Sequence, residues 1–218
     1  MKTKENVNFI SLLKRSVFFL SRKWDNLLIF FLAVCIIAGC FWAVQRAIGE
    51  GEIAARQHFL QTAERWLGCS EADGSHEQII DFYNAVEPRP RGYKVTYSDN
   101  WCATFASAAA LKAGFTDIIP MECSCEQQIN LFREMGCWQE DECYLPRTGD
   151  YIYYVWDEWR KGDCTAWAEH VGIVAETFGP VIKVIEGNKD DSVTYRYIFV
   201  NDICIRGYGL PDYRSAGK

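Results

Sequence analysis

One cysteine in this sequence stands where a helix can make it a nucleophile. Cys102 falls in the first turn of a predicted helix, directly after the candidate caps Asp99 and Asn100. Unpaired backbone N–H groups and the helix dipole favour a thiolate there and lower the pKa of a cysteine. The same N–H groups can receive the oxyanion of a tetrahedral intermediate. These features predict acyl-transfer chemistry at Cys102.

A predicted β-hairpin supplies a histidine and an acid for that cysteine. The segments HVGIVAE, beginning at His170, and VIKVIEGN, beginning at Val181, flank the turn TFGP. A hairpin centred on Phe178 sets His170 directly opposite Glu186, and directly opposed residues share a face and are close enough to touch. Asn188 is then a diagonal neighbour on that face. A register shift of one residue would break this pairing, so the prediction is strict.

Each of these residues also has a structural interpretation. A cysteine in an alanine-rich helix is usually a small buried hydrophobe, and a His170–Glu186 pair alone fits a core histidine as well as a catalytic base. The other two histidines, His58 and His76, fall in or at the start of predicted amphipathic helices. A helix-start cysteine combined with a strand-start histidine beside an acid favours a papain-type constellation.

The elements that must position these residues indicate an α+β domain. Helical periodicity comes first, at residues 53–67, 75–85, 101–114 and 124–136. Short segments rich in β-branched and aromatic residues follow, which indicates helices packed on an antiparallel sheet. The predicted strands are residues 151–156, 171–176, 181–186, 194–200 and 203–208.

Five sequence motifs stand in order between residues 55 and 213: DNWCATFASAAALKAG, PRTGDYIYYVWD, HVGIVAE, VIEGN and RGYGLPDY. In these motifs the chain resembles a CHAP domain, a cysteine- and histidine-dependent amidohydrolase/peptidase of papain-like fold. The resemblance implies that Cys102 is the nucleophile, His170 the general base and Glu186 the orienting acid. Asn188 is implied as an additional site residue.

The resemblance also implies a function. The family acts on bacterial cell walls, as N-acetylmuramoyl-L-alanine amidase or as endopeptidase of stem or cross-bridge peptides, and it needs no metal and no cofactor. Residues 157–169, DEWRKGDCTAWAE, form a loop particular to this chain beside His170. Trp101, Trp156 and Trp167 are candidates to line the cleft. The alternatives are a non-catalytic module that binds wall peptides or a partner, and a transferred toxin or lysin that acts on neighbouring cells.

An apolar run precedes the predicted domain. Residues 27–44 contain eighteen residues without a charge, about the length that crosses a bilayer core. Six basic and two acidic residues lie in 1–26, which by the positive-inside rule places the N-terminus in the cytoplasm and the domain outside. We therefore expect a leader at 1–26, a single transmembrane anchor at 27–46 and the hydrolase domain at 52–214. In the alternative, the lipobox-like segment Ile37-Ala38-Gly39-Cys40 makes Cys40 a lipoprotein anchor.

Charge and cysteine content limit the partners. The net charge of −6, less the +4 of the leader, leaves −10 for the rest of the chain. Nucleic acid is therefore disfavoured as a partner, because its binding depends on basic side chains. Ten cysteines leave disulfides, reduced buried thiols and a zinc site at Cys123, Cys125, Cys137 and Cys143 open, although the C-x-C and C-x5-C spacing is poor for zinc.

Overall fold

The computed structural model describes residues 3–141, 144–156 and 167–216. The chain divides into two compact units, Met1–Glu50 and Gly51–Lys218. The first helix, α1 (Thr3–Glu64), contributes residues to both units.

One helix among the described residues is long and apolar enough to cross a membrane, by length and composition, with a mean hydropathy of 1.9. Its large apolar side chains from Phe30 to Val44 are exposed, and Ile37 and Trp42 have 68% and 64% of their surface accessible. A signal sequence passes the same test. The helix therefore fits the predicted anchor at residues 27–46 without separating it from a signal sequence.

The second unit has helices followed by strands, as predicted. Six strands form one antiparallel sheet in the order β1-β6-β2-β3-β4-β5. The α+β class with an antiparallel sheet is confirmed. Strand β1 was not predicted, because two residues are too few to show a period. After α1 the elements are α2 (Glu77–Asn84), a 3-10 turn (Pro90–Gly92), α3 (Cys102–Ala113), α4 (Cys125–Glu134), β1 (Trp138–Gln139), β2 (Tyr151–Tyr154), β3 (His170–Phe178), β4 (Val181–Lys189), β5 (Ser192–Phe199) and β6 (Ile205–Gly209).

Helix α3 packs closely on the sheet, because alanines on the helix and a glycine on β4 leave room at the contact. The alanine-rich stretch of α3 is fully buried, and the Tyr151 hydroxyl donates a hydrogen bond to the Ala106 carbonyl at 2.9 Å. A Cβ atom on Gly187 of β4 would lie 2.4 Å from the Phe105 Cβ. Glycine at 187 therefore lets the strand that carries Glu186 approach the helix that carries Cys102.

The start of α3 differs from the prediction. Trp101 occupies the N-cap position, and its side chain makes no cap hydrogen bond. Asp99 instead accepts hydrogen bonds from the Thr96 backbone N–H and the Tyr93 hydroxyl, which closes the preceding loop. The predicted caps Asp99 and Asn100 are therefore wrong, whereas Gly114 ends the helix in the left-handed conformation, as expected.

The register of the β3–β4 hairpin is also wrong in the prediction. The turn is the two-residue Gly179-Pro180, with Gly179 at a φ of 57°, and it pairs Phe178 with Val181. A bulge then shifts the ladder so that Ile173 pairs with Ile185. Continuing this register by one residue sets Glu186 across from residue 172, two positions from His170. At Glu186 the predicted register is therefore off by two residues. Because two is an even number, the side chains of Glu186 and His170 still lie on one face of the sheet.

Candidate active site

Cys102 and His170 meet where a helix and a strand both begin. Cys102 is the first residue of α3 and is 4% exposed, and His170 is the first residue of β3 and is 9% exposed. The His170 side chain and the Val171 backbone N–H both stabilise the Cys102 thiolate and thereby lower the pKa of Cys102. Because α3 starts at the sulfur and lacks a side-chain cap, its first-turn N–H groups are available to an anion beside it.

Glu186 orients the imidazole. Its Oε2 lies 3.0 Å from the His170 Nε2, so Nδ1 is the ring nitrogen available to Cys102. The Arg196 Nε donates to both carboxylate oxygens of Glu186, at 2.7 and 2.9 Å. Glu186 is fully buried, and its charge is held between one cation and one imidazole.

Glycine at position 172 gives Glu186 its path to the histidine. A Cβ on Gly172 would lie 2.7 Å from the Glu186 Cγ and 2.4 Å from the Val184 Cγ1. The space above Gly172 is therefore occupied by the Glu186 side chain. The diagonal His170–Glu186 contact depends on that missing side chain.

Aromatic rings cover the imidazole and the arginine. The rings of Tyr154 and Trp156 stack at 5.0 Å, and their centroids lie 5.9 and 6.4 Å from that of His170. The Arg196 guanidinium lies 4.8 Å from the Trp156 ring. Trp156 therefore borders the site, as expected for a cleft residue. Trp101 is fully buried, with its Nε1 bonded to Glu71, and Trp167 is exposed.

A second cysteine lies against the candidate nucleophile. Cys125 is the first residue of α4, is 7% exposed, and has its sulfur 3.6 Å from the Cys102 sulfur. From the sequence, Cys125 was a candidate for a disulfide, a reduced buried thiol or a zinc ligand, but not for a place beside Cys102. No local pattern could have placed it here, since the contact joins the starts of two helices 23 residues apart.

These contacts separate the charges of the site. The hydrogen bond from Cys125 and that from His170 lower the pKa of Cys102 well below its usual value, against the effect of burial. Burial would lower the pKa of His170, but its bonds to Cys102 and Glu186 outweigh burial and raise that pKa to about 9. The bond to Cys102 and burial raise the pKa of Cys125. The directions of these shifts favour a Cys102 thiolate beside a His170 imidazolium, with the remaining thiol proton on Cys125.

Burial alone would raise the pKa of Glu186, but its hydrogen bonds with His170 and Arg196 keep that pKa below its usual value. Arg196 was missed in the sequence interpretation. Glu186 pairs with Thr194 across β4 and β5, so residue 196 lies on the same face as the carboxylate. The turn pair Lys189–Ser192, extended regularly, would set residue 195 across from Glu186 and Arg196 on the other face. The register shift between Glu186 and Lys189 brings Arg196 to the face of the carboxylate, and no local sequence pattern marks that shift.

Asn188 lies at an irregularity in the β4–β5 ladder. It adopts a left-handed conformation with a φ of 54°, and its Nδ2 donates to the Asn100 Oδ1 at 3.4 Å. Its predicted place beside the imidazole stays a prediction. Asn188 links β4 to the segment before Cys102.

A cavity of about 280 Å³ opens between the segments that precede α3 and α4. Cys102 and His170 do not line it, but Asn100 and Cys123 stand two residues before the two buried cysteines. Arg91 donates to the Glu122 carboxylate at 2.8 Å and keeps half of its side chain exposed. The lining residues are Arg91, Tyr93, Val95, Asp99, Asn100 and Cys123.

Seven cysteines in the described ranges form no disulfide. These free thiols are Cys35, Cys40, Cys69, Cys102, Cys123, Cys125 and Cys137. No group of three or more His, Cys, Asp or Glu side chains in the described ranges has an arrangement that could hold a metal ion. Three predicted features lie outside those ranges: Cys143, which is the fourth candidate zinc ligand, Cys164, and residues 157–166 of the loop beside His170.

Comparison of the chain with protein-family models and with curated proteins gave no match.

Proposed function

We propose that this chain is a papain-like cysteine hydrolase of the CHAP type that cleaves amide bonds in peptidoglycan peptides. The observation that carries the proposal is the buried Cys102–His170 pair at the start of α3, with Glu186 bonded to the far side of the imidazole. A core histidine needs one partner for each ring nitrogen. It does not need a sulfur whose pKa is lowered at an uncapped helix start.

The reaction follows from the charges of the site. The Cys102 thiolate attacks the amide carbonyl, and first-turn N–H groups of α3 stabilise the oxyanion, each donor contributing about 3 kcal/mol. The His170 imidazolium donates its proton to the departing amine, which leaves a thioester on Cys102. Neutral His170 then takes a proton from water, and the hydroxide releases the acid and restores the thiolate. Glu186 holds the ring and supports its charge in both steps.

The substrate class rests on the CHAP resemblance and on two features of the site. The cavity beside Asn100 has room for part of a peptide next to the scissile bond, and it offers both a guanidinium and a carboxylate, from Arg91 and Asp99. Stem peptides of bacterial walls carry both signs of charge. The acidic balance outside the leader gives no basic surface for nucleic acid.

The location rests on the apolar part of α1. Residues 27–46 anchor the chain with its N-terminus in the cytoplasm. The anchor holds the hydrolase domain at the external surface of the cell membrane, beside the wall. An anionic domain has no electrostatic attraction to an anionic wall, so tethering supplies the proximity.

Digestion of purified peptidoglycan tests the proposal. The full chain, solubilised in mild detergent, is incubated with sacculi, and the products are identified by mass spectrometry. Free stem peptides indicate amidase activity, and new peptide termini indicate endopeptidase activity. Intact muropeptides after treatment with a folded, fully reduced chain would contradict the proposed function.

A further inference from the structure

The Cys102 and Cys125 sulfurs lie 3.6 Å apart in a buried setting. A disulfide has a sulfur–sulfur length of about 2.05 Å, so the two atoms must approach by about 1.5 Å. Each cysteine is the first residue of its helix, where one neighbouring peptide is free of the helical hydrogen-bond ladder. The approach therefore requires adjustment at two helix ends rather than within a helix.

The two thiols are chemically different, which gives them an order of reaction. The pKa of Cys102 is lowered and that of Cys125 is raised, so Cys102 ionises first and reacts first with an electrophile, while Cys125 is the thiol that supplies the proton between the two sulfurs. Peroxides oxidise thiolates, and a sulfenic acid with a thiol in reach condenses to a disulfide. This difference assigns distinct roles to the two residues.

We propose that Cys125 is the resolving cysteine for Cys102, so that a hydroperoxide converts the site into a reversible Cys102–Cys125 disulfide. The inference rests on the proposed function only in taking Cys102 as the reactive thiolate. It assigns a covalent modification to a thiol that takes no part in hydrolysis beyond its hydrogen bond.

The reaction balances in two steps. The Cys102 thiolate attacks one oxygen of the hydroperoxide, the O–O bond breaks, and Cys102 becomes a sulfenic acid while the other oxygen leaves as hydroxide or alkoxide. The Cys125 sulfur then attacks the Cys102 sulfur, the S–O bond breaks, and the thiol proton leaves with the hydroxyl as water. The His170 imidazolium can give its proton to the departing oxygen in the first step. The neutral ring can then accept the Cys125 proton in the second step and pass it to the departing hydroxyl. A dithiol reductant reverses the disulfide.

The disulfide would switch off hydrolysis and protect the nucleophile. Once its sulfur is bonded to Cys125, Cys102 has no thiolate to attack an amide or to react with more peroxide. Without a resolving thiol, sulfenic acid proceeds to sulfinic and sulfonic acids, which a dithiol does not restore. A domain outside the cytoplasm would meet this hazard in an oxidising compartment.

Peptide mapping of the oxidised full chain tests the inference. The chain in detergent is treated with hydrogen peroxide, free thiols are blocked with N-ethylmaleimide, and unreduced peptides are analysed by mass spectrometry. We expect a cross-linked pair containing Cys102 and Cys125, lighter by both thiol hydrogens, and separate peptides after dithiothreitol. Persistence of Cys102 as sulfinic acid, or its pairing with a different cysteine, would overturn the inference.

Recovery of reactivity provides the second measurement. After peroxide treatment of the wild type, dithiothreitol should restore the ability of Cys102 to be alkylated. In Cys125→Ser, Cys102 should lose that ability irreversibly. Cys123→Ser is the matched control, because Cys123 lies two residues away on the same segment and its sulfur bonds to Arg91; it should recover like the wild type. Equal recovery of wild type and Cys125→Ser would contradict the role of Cys125. These readouts need no hydrolysis, so a cross-link without peptidoglycan cleavage would refute the proposed function alone.

Discussion

Replacing Glu186 by glutamine removes the charge that supports the imidazolium while keeping the size of the side chain. In the wild type, the carboxylate bonds to the His170 Nε2 at 3.0 Å and helps to raise the pKa of His170 to about 9. A hydrogen bond to a charged group contributes about 1.5–3 kcal/mol, and one pKa unit corresponds to about 1.4 kcal/mol. We therefore expect the pKa of His170 to fall by about 1 to 2 units in Glu186→Gln.

The direction of the effect on activity follows from the reactive form. Hydrolysis needs the thiolate and the imidazolium together, so activity is lost as pH rises through the pKa of His170 and as pH falls through that of Cys102. In Glu186→Gln the alkaline limb of kcat/KM should move from about 9 to about 7–8, and the rate at about pH 8 should fall by up to about tenfold.

The assay is the pH profile of kcat/KM on a soluble muropeptide, together with the pH dependence of iodoacetamide inactivation. Glu176→Gln is the matched control, because Glu176 is an exposed carboxylate further along β3. Its profile should overlay that of the wild type. An alkaline limb that stays at about 9 in Glu186→Gln, or that moves equally in both variants, would refute the role of Glu186.

Three further changes test other parts of the account. Gly172→Ala places a Cβ within 2.7 Å of the Glu186 Cγ. We therefore expect a loss of about 1–3 kcal/mol in the free energy of unfolding and a lower kcat/KM. Unchanged stability and activity would contradict the requirement for glycine at position 172. Cys125→Ala removes a donor to the thiolate, so the pKa of Cys102 should rise by about one unit and alkylation at acid pH should slow, with Cys125→Ser nearer to the wild type. Alkylation that follows the wild-type pH profile in Cys125→Ala would refute the donor role. External protease should remove the domain from intact protoplasts. A domain that resists protease until the membrane is lysed would contradict the predicted orientation. Palmitate labelling that is lost in Cys40→Ser would favour the lipoprotein alternative.

The order of helices and strands could be predicted because it depends on local signals. Alternating and helical periodicities, together with Gly114 behind the alanine-rich helix, are local features of the sequence, and five of the six strands follow from them. The hairpin register could not be predicted correctly. It depends on the two-residue turn at Gly179-Pro180 and on a bulge before residue 176. The stability of that bulge depends on packing against the rest of the sheet.

A contact within the site could be predicted only where both residues belong to one local element such as a hairpin. The His170–Glu186 contact lies within one hairpin, and an even register error left both side chains on one face. Cys125 and Arg196 were missed for different reasons. The contact of Cys125 with Cys102 joins two helix starts across the fold, whereas Arg196 reaches the face of Glu186 only through a register shift in the β4–β5 ladder.

The central claim is that the Cys102 sulfur performs the hydrolysis. The direct measurement is mass-spectrometric quantification of muropeptides released by the full chain carrying Cys102→Ala, with Cys69→Ala as the control, since Cys69 is a half-buried thiol elsewhere in the same unit. Alanine is a good helix former, so the variant should keep the circular dichroism and the unfolding temperature of the wild type. We predict no cleavage by Cys102→Ala and full cleavage by Cys69→Ala. Cleavage at the wild-type rate by folded Cys102→Ala would contradict the account.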